Sequence, residues 1–368
     1  MNDWKNTVHV GDCLDKLEEM PDNSVHTVIF SPPYWKQREY NGGERELGQE
    51  KTLDEYIANL VEVGDKLKRV LRDDGSWWLN LGDKYVDKDK CLMPHKTAIA
   101  LQQSGWLVRN DACWRKKGGG MPESIKNRLS KTFEFVFHFV QQQDYWYDLD
   151  AIREPYETES TKRAHRATTS NTKGGGGYPG QTQNSIHEGR DQQGGLHASG
   201  SNPGDLFVLP TASFSDAHFA TYPEKLVEKP LKATCPPKVC PDCGTPYERV
   251  TEQLSGSTAN IEGSMDEDGV TRTTAGLAKK TEEESRYKAI HKGWEPACDC
   301  DAGDPEPGIV LDPFMGAGTT GVVAQKHHRW WTGIELNEEY AEMAEDRIAK
   351  ARRNNPDPDA DDPLTTDY

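Results

Sequence analysis

The sequence predicts an α/β fold in which helices cover a mostly parallel, doubly wound sheet. Strand-like and helix-like segments alternate at both ends of the 368-residue chain, and that alternation is typical of parallel sheets. Near each end, a predicted strand is followed directly by a turn rich in proline or glycine, at the place where such sheets bind ligands. The periodicity is lost over residues 154–204 and 254–284, so we expect long polar insertions there.

The elements follow from hydrophobic spacing and from residues that begin or end helices. Thr52 and Glu55 match a capping box at the start of a long amphipathic segment, and Asn337 is a good cap for the last helix. The predicted strands are residues 8–10, 25–30, 76–81, 106–114, 132–140, 309–311 and 330–335. The predicted helices are residues 14–20, 53–71, 94–103, 319–327 and 338–353.

The chain is acidic, with a formal net charge of -17 and 34% hydrophobic residues. This charge fits an acidic enzyme with a small substrate, or an acidic surface with a local basic groove, as in proteins from a very salty cytoplasm. Basic residues outnumber acidic ones within residues 109–131 and again near Lys162, which favours a groove for phosphate and the hypothesis of a halophilic origin. No apolar run approaches the roughly 18 residues of a membrane span, and no secretory signal begins the chain. We therefore expect a cytoplasmic protein without membrane contact.

A glycine-containing turn, Asp312 to Thr320, follows the predicted strand 309–311 and begins a helix. Its glycines let the backbone approach a ligand, and the start of the helix offers free N–H groups. Glu335 ends the next strand, where a carboxylate can accept both hydroxyls of a ribose. The third glycine of a dinucleotide fingerprint is missing, which favours S-adenosylmethionine, a ligand without pyrophosphate. The alternative is an ordinary tight turn between strand and helix.

A rigid turn, Ser31-Pro32-Pro33-Tyr34, ends the predicted strand 25–30. An exocyclic amine of a nucleobase is a poor nucleophile, because its lone pair is delocalised into the ring. Acceptors around its hydrogens, such as the Ser31 hydroxyl and a proline carbonyl, can aim that lone pair at an activated methyl group. Tyr34 can stack on a base rotated out of a duplex. The alternative is a Pro-Pro turn that only ends a strand.

Together, the two turns resemble those of the DNA amino-methyltransferases in their permuted beta-class order, with the catalytic turn first and the cofactor turn last. The resemblance implies a Rossmann-like S-adenosylmethionine-dependent methyltransferase fold, an enzyme, and double-stranded DNA as substrate. It also implies that Asp12 faces the cofactor's adenine and that the segment with His218 and Pro223 holds its methionine end. The remaining cofactor-binding residues implied by the resemblance are Asp312, Pro313, Phe314, Gly316, Gly318, Thr319 and Glu335.

A serine before Pro-Pro-Tyr resembles the cytosine-N4 group of that family, whereas adenine-N6 members more often carry aspartate. We therefore expect methylation of cytosine N4, with adenine N6 as the alternative. A methyltransferase acting on RNA or on a protein amide is a rival with the same chemistry. A non-catalytic zinc-ribbon DNA-binding protein is a rival from another class, and the missing third glycine argues against a nicotinamide oxidoreductase.

Cysteine spacing predicts a structural zinc site of four thiolates, Cys240, Cys243, Cys298 and Cys300. Cys235 is a spare candidate, which Pro236 and Pro237 hold away from the others. The alternative is free thiols in a reducing compartment. A catalytic zinc is not expected, because four thiolates leave no open coordination position.

These features predict six segments along the chain, all belonging to one methyltransferase. A cognate restriction endonuclease is a possible partner that activity would not require, and the oligomeric state is open. The segments are a catalytic half (1–153), a flexible target-recognition insert (154–215), a cofactor-binding segment (216–234), a zinc-ribbon-like insert (235–305), a cofactor-binding half (306–353) and a disordered acidic tail (354–368).

Overall fold

The computed structural model describes residues 1–37, 46–119, 124–155, 199–211, 222–255 and 287–355. It divides into two compact units. The first contains Met1–Ile152, Gly204–Glu248 and Pro296–Tyr368, and the second contains Arg153–Pro203 and Arg249–Glu295. The six-segment division remains a prediction, and His218, much of the recognition insert and the acidic tail lie outside the described residues.

The first unit is built on an eight-stranded sheet in the order β1-β12-β11-β2-β3-β7-β6-β8. Neighbouring strands are parallel except where β7 pairs with β3 and β6, so the predicted mostly parallel sheet is present with one antiparallel strand. The strands are β1 (Thr7–Val10), β2 (Val25–Phe30), β3 (Leu71–Leu81), β6 (Leu107–Lys116), β7 (Phe133–Val140), β8 (Leu206–Leu209), β11 (Ile309–Asp312) and β12 (Trp330–Glu335). A small hairpin pairs β4 (Tyr85–Val86) with β5 (Asp89–Lys90).

Helices pack on both faces of this sheet. One buried cluster joins it to the three helices that lie before residue 104, and another joins it to the three that lie after residue 223. The Thr52–Glu55 capping box is formed, and Asn337 Oδ1 accepts the Glu339 N–H at 2.9 Å, so both predicted caps are present. The helices are α1 (Cys13–Glu19), α2 (Leu53–Val70), α3 (Met93–Gln103), α4 (Glu224–Thr234), α5 (Thr319–Lys326) and α6 (Glu338–Asn354).

The strand order reverses between β11 and β2. From β11 the chain passes through α5 to β12 on one side, and from β2 it passes through α2 to β3 on the other. The two strands are parallel neighbours, with Val310 opposite Thr27 and Leu311 opposite Val28. Such a switch point opens a crevice at the carboxyl ends of the strands, where α/β folds bind ligands.

The short strands β4, β5 and β8 were not predicted, and two longer elements differ from the prediction for local reasons. Helix α4 was missed because Pro230 lies inside it, and an internal proline normally breaks a helix. The Thr234 hydroxyl donates to the Pro230 carbonyl at 2.8 Å, which satisfies an acceptor in that turn. Strand β3 begins at Leu71 rather than Ser76. Its pairing with β2 is irregular between these two residues, and Gly75 in that irregular part concealed the earlier start of the strand.

The second unit contains a two-stranded sheet of β9 (Glu248–Ser255), whose first residue belongs to the first unit, and β10 (Tyr287–Glu295). Arg249 stacks over the Trp294 ring with its guanidinium carbon 4.5 Å from the ring centroid. Neither strand was predicted, since their sequences are largely polar. Among the described residues, no helix combines the length and the apolar character needed to span a bilayer.

Candidate active site

The proline turn and the glycine turn lie side by side. Strands β1, β12, β11 and β2 are consecutive parallel neighbours, so their carboxyl ends share one edge of the sheet. The Phe30 and Phe314 ring centroids are 5.3 Å apart, and Thr320 Oγ1 lies 3.2 Å from the Ile29 carbonyl oxygen. Segments from opposite ends of the chain therefore form one site.

The proline turn is held by hydrogen bonds from neighbouring elements. Tyr56 of α2 donates its hydroxyl to the Pro33 carbonyl at 2.9 Å, and the Trp35 indole donates to the Glu50 carbonyl at 2.9 Å. Within the turn, the Ser31 hydroxyl donates to Tyr34 Oη at 3.1 Å. The turn is thus rigid before any ligand arrives, as its two prolines predict.

Two residues that the sequence analysis did not single out, Asn80 and Glu134, line the inner side of this turn. Tyr34 Oη donates to Glu134 Oε2 at 2.9 Å, and Asn80 Nδ2 is 2.9 Å from Tyr34 Oη and 3.3 Å from Ser31 Oγ. Burial, followed by the negative charge of Glu134, raises the pKa of Tyr34 well above its usual value, so the phenol stays neutral. The available sequence signal was a polar residue within the apolar part of each of two strands.

Asp312 organises the glycine turn from within the core, where it is 1% exposed. Its Oδ1 accepts the Phe314 N–H at 3.0 Å, and its Oδ2 accepts the hydroxyls of Tyr222 at 3.1 Å and Thr320 at 2.8 Å. Burial is the largest cause that raises the pKa of Asp312, to about 7. Asp312 therefore fixes the shape of the turn, and its contact with a cofactor remains a prediction.

The two glycines of the turn have different surroundings. Gly318 has φ +74°, and a Cβ there would lie 2.8 Å from Ala344 Cβ in α6. Gly316 has φ +49°, but a Cβ there would meet nothing nearer than the Phe314 carbonyl at 3.9 Å. Pro313, Gly318 and Thr319 are buried, whereas Phe314 and Gly316 keep solvent access. Gly318 therefore serves the packing of α5 on α6, and Phe314 and Gly316 are the members of the turn that a ligand can reach.

Acidic residues lie at or just beyond the carboxyl ends of β12 and β1. Glu335 Oε2 accepts the Gly316 N–H at 2.7 Å, and its Oε1 accepts the Asn337 N–H at 3.0 Å. Burial raises the pKa of Glu335. Asp12 caps α1 by accepting the Leu14 N–H at 2.9 Å, and it lines a cleft of about 540 Å³ beside α1 and α2. Of the predicted methionine-end segment, Pro223 is described and precedes α4.

The four predicted cysteine ligands come together in the first unit. The Sγ atoms of Cys240, Cys243, Cys298 and Cys300 all lie within 4.8 Å of one another. Hydrogen bonds from Thr245 lower the pKa of the Cys243 thiol to about 6, while the neighbouring thiols, Cys243 first, raise that of Cys300 to about 12. Crowded thiols resist joint ionisation, and a bound cation would remove that conflict. Cys235 is buried elsewhere in the core.

Comparisons with known proteins agree with this geometry. Residues 25–241 and 301–346 match the model of a family described as DNA methylase. The chain is 28% identical over 377 residues to the Type II methyltransferase M.XycI of Xanthomonas campestris pv. cyanopsidis, which covers 95% of this chain and 89% of that protein. It is 30% identical over 382 residues to the Type II methyltransferase M.SfiI of Streptomyces fimbriatus, covering 90% and 88%.

A solved structure, PvuII DNA methyltransferase (cytosine-N4-specific), has a TM-score of 0.52 to this chain at 16% identity, covering 95% of this chain and 94% of the other. At that identity the likeness concerns the fold alone.

Proposed function

Because this chain belongs to the family of DNA amino-methyltransferases, we propose that it methylates the exocyclic N4 of a cytosine in double-stranded DNA, after the base has rotated out of the helix. The observation that carries this proposal is the adjacency of β2 and β11. It brings the proline turn at Ser31 (the Ser31 turn) and the glycine turn at Gly316 (the Gly316 turn) to one crevice. The order of these turns along the chain, catalytic before cofactor, supports the permuted beta-class arrangement. Tyr34 keeps partial solvent access, which leaves part of its ring available to stack on the rotated base.

The residues around the glycine turn fit S-adenosylmethionine, which supplies an already activated methyl group on a sulfonium. Gly316 leaves open space where a side chain would project, so a ligand can approach the backbone closely. The Glu335 carboxylate has lone pairs beyond the two that accept backbone N–H groups, and these can accept ribose hydroxyls. Asp12 would bind at the adenine end, because the Gly11 N–H before it donates to the Glu335 carbonyl at 2.9 Å, which brings the two acids close together.

Replacing Glu335 by alanine is expected to weaken binding of S-adenosylmethionine about 10- to 100-fold, since hydrogen bonds to a charged group contribute about 1.5–3 kcal/mol. Titration calorimetry of the wild type and the variant measures this directly. The matched control is Glu338→Ala, which removes an exposed carboxylate at the start of α6 and should leave affinity unchanged. Equal affinities for the Glu335 variant and the wild type would refute the ribose contact.

The Ser31 turn offers neutral acceptors to an amino group. The Ser31 proton is directed to Tyr34, and Asn80 Nδ2 donates to one lone pair of Ser31 Oγ. The second lone pair can accept an N–H, and the rigid prolines hold a carbonyl nearby. Positioning supplies much of the rate in such a reaction, because the methyl donor is already activated. The serine favours cytosine N4, and adenine N6 is the second candidate.

The proposed function is tested by identifying the methylated nucleoside. The protein is incubated with duplex DNA and S-adenosylmethionine, the DNA is digested to nucleosides, and the products are separated by mass. N4-methyldeoxycytidine supports the proposal, and N6-methyldeoxyadenosine moves the reaction to the second candidate. No methylated nucleoside, with retained DNA binding, would identify a non-catalytic DNA-binding protein instead.

Basic residues support DNA as the partner. Arg115, Lys117 and Lys126, on β6 and the residues that follow it, are exposed, and Lys116 of the same strand reaches the inner side of the proline turn. In a chain of net charge -17, such a local concentration is suited to phosphates flanking a rotated base.

We also propose that the four cysteines hold a structural zinc ion. A tetrahedral site with Zn–S bonds near 2.3 Å places its sulfurs about 3.8 Å apart, which is compatible with the observed cluster. The cluster lies at the opposite end of β2 from the Ser31 turn. The Gly244 carbonyl beside the cluster contacts His26 at 3.1 Å, and His26 is near the amino-terminal end of β2, whereas Ser31 follows its carboxyl end. His26 Nδ1 also accepts the Ile309 N–H at 3.1 Å, so the site would stabilise the junction of β2 and β11.

Elemental analysis of purified protein is expected to find one zinc ion per chain, and Cys243→Ser should lose the metal together with thermal stability. Cys91→Ser is the matched control, since Cys91 lies outside the cluster and its replacement should keep the zinc. A wild type that contains no zinc and unfolds at the same temperature as Cys243→Ser would rule out the four-thiolate site.

A further inference from the structure

A chain of hydrogen bonds leads from Ser31 to a buried carboxylate. Ser31 Oγ donates to Tyr34 Oη at 3.1 Å, and Tyr34 Oη donates to Glu134 Oε2 at 2.9 Å. Each hydroxyl both gives and can receive a proton. The chain therefore connects the group that faces the substrate with one that can hold a proton.

The network has one orientation. Asn80 Nδ2 is 3.0 Å from Glu134 Oε2, and because a carboxylate only accepts, the amide nitrogen must face it. Asn80 Oδ1 is buried with no hydrogen-bond partner among the described residues, so only the donor side of this amide holds the network. Lys116 Nζ lies 2.6 Å from Glu134 Oε1, with the Glu134 side chain 13% exposed, so the carboxylate is held in place through its other oxygen.

Resting on the proposed function, we propose that Glu134 receives, through Tyr34 and Ser31, the proton that the target amino group loses. After methyl transfer the nitrogen carries a surplus proton and is a strong acid, because losing that proton restores conjugation with the ring. The N–H bond breaks with its electron pair left on nitrogen, and Ser31 Oγ binds the proton. Ser31 passes its own proton to Tyr34, and Tyr34 passes its own to Glu134 Oε2, so the net change is one new O–H bond on Glu134.

Glu134 does not contact the target base in this scheme. It is a positioning and proton-accepting residue that acts through Tyr34. Tyr34 stays neutral in this scheme, in agreement with its raised pKa, which burial causes first and Glu134 second. The role extends beyond holding the turn, because an amide in place of Glu134 would still accept the Tyr34 hydroxyl but could not accept a proton.

The test compares Glu134→Gln with Glu134→Asp in single-turnover methylation with saturating DNA and S-adenosylmethionine. We expect Glu134→Gln to lose about 100-fold in rate with unchanged affinity for the cofactor, and Glu134→Asp, which keeps a carboxylate, to be faster than Glu134→Gln. If Glu134 only held the turn, the isosteric glutamine would be the faster variant, and that order overturns the proposal. Folding is checked by cofactor affinity and thermal unfolding.

A double-mutant cycle tests the path through Tyr34. Tyr34→Phe breaks the chain, so it should lose about as much as Glu134→Gln, and the double variant should be no slower than either, because all three lack the same route. Losses that multiply to about 10,000-fold would show independent roles and refute the relay. Glu306→Gln breaks another Glu–Lys pair, of 3.1 Å with Lys5, and should keep the wild-type rate. An inactive wild type would instead contradict the proposed function itself.

Discussion

Ser31→Ala is expected to reduce the single-turnover rate of methyl transfer about 100- to 1,000-fold while cofactor affinity is unchanged. Loss of one preorganised hydrogen-bonding group at a reacting centre has an effect of this size. The variant removes both the acceptor for the amino group and the first member of the chain to Glu134. The rate is measured by rapid quench with labelled S-adenosylmethionine, and the affinity by calorimetry.

Ser24→Ala provides the comparison for this variant. Ser24 immediately precedes β2, and its buried hydroxyl has no partner among the described residues, so its removal should change neither rate nor affinity. A Ser31 variant that methylates DNA as fast as Ser24→Ala would remove Ser31 from the reaction.

Gly318→Ala is expected to lower the free energy of unfolding by about 3 kcal/mol. A left-handed backbone costs a residue with a Cβ roughly 1–2 kcal/mol, and overpacking adds about 1–3 kcal/mol. The new methyl group would lie 2.8 Å from Ala344 Cβ and 3.0 Å from its Cα, so α6 must move away from α5. A fall in melting temperature of about 4 °C corresponds to this loss, since a chain of 368 residues has an unfolding entropy of about 0.8 kcal/mol/K, and it is measured by scanning calorimetry.

Gly316→Ala separates packing from ligand binding. It has the same kind of backbone but free space at the Cβ position, so it should destabilise by about 1–2 kcal/mol and chiefly weaken cofactor binding. If both alanine variants unfolded at the same temperature, the contact between Gly318 and α6 would not limit stability.

The sequence predicted most of the sheet and both turns, because strand ends marked by proline, glycine and capping residues are local signals. The Ser31 turn, the Gly316 turn and Glu335 could each be read from consecutive residues. Their meeting at one crevice followed from the general rule that parallel strands end at a common edge, and the pairing of β2 with β11 agrees with it.

Residues that depend on pairing between distant strands were not predicted. Asn80 and Glu134 meet because β3 and β7 are antiparallel neighbours, and nothing near either residue specifies that partner. Tyr222 donates to Asp312 from another part of the chain. It lies just before α4, a helix that the sequence did not reveal because of its internal proline. Such contacts are set by topology, which hydrophobic spacing does not determine.

The account depends most on the Ser31 turn and the Gly316 turn serving one reaction. The most direct measurement is a crystal structure of the protein with duplex DNA and a non-transferring analogue of S-adenosylmethionine. We expect the cytosine to lie outside the helix, with N4 about 3–3.5 Å from the position of the methyl carbon and within hydrogen-bond distance of Ser31 Oγ. An analogue bound away from Gly316 and Glu335, or a target base bound away from Ser31, would contradict the account.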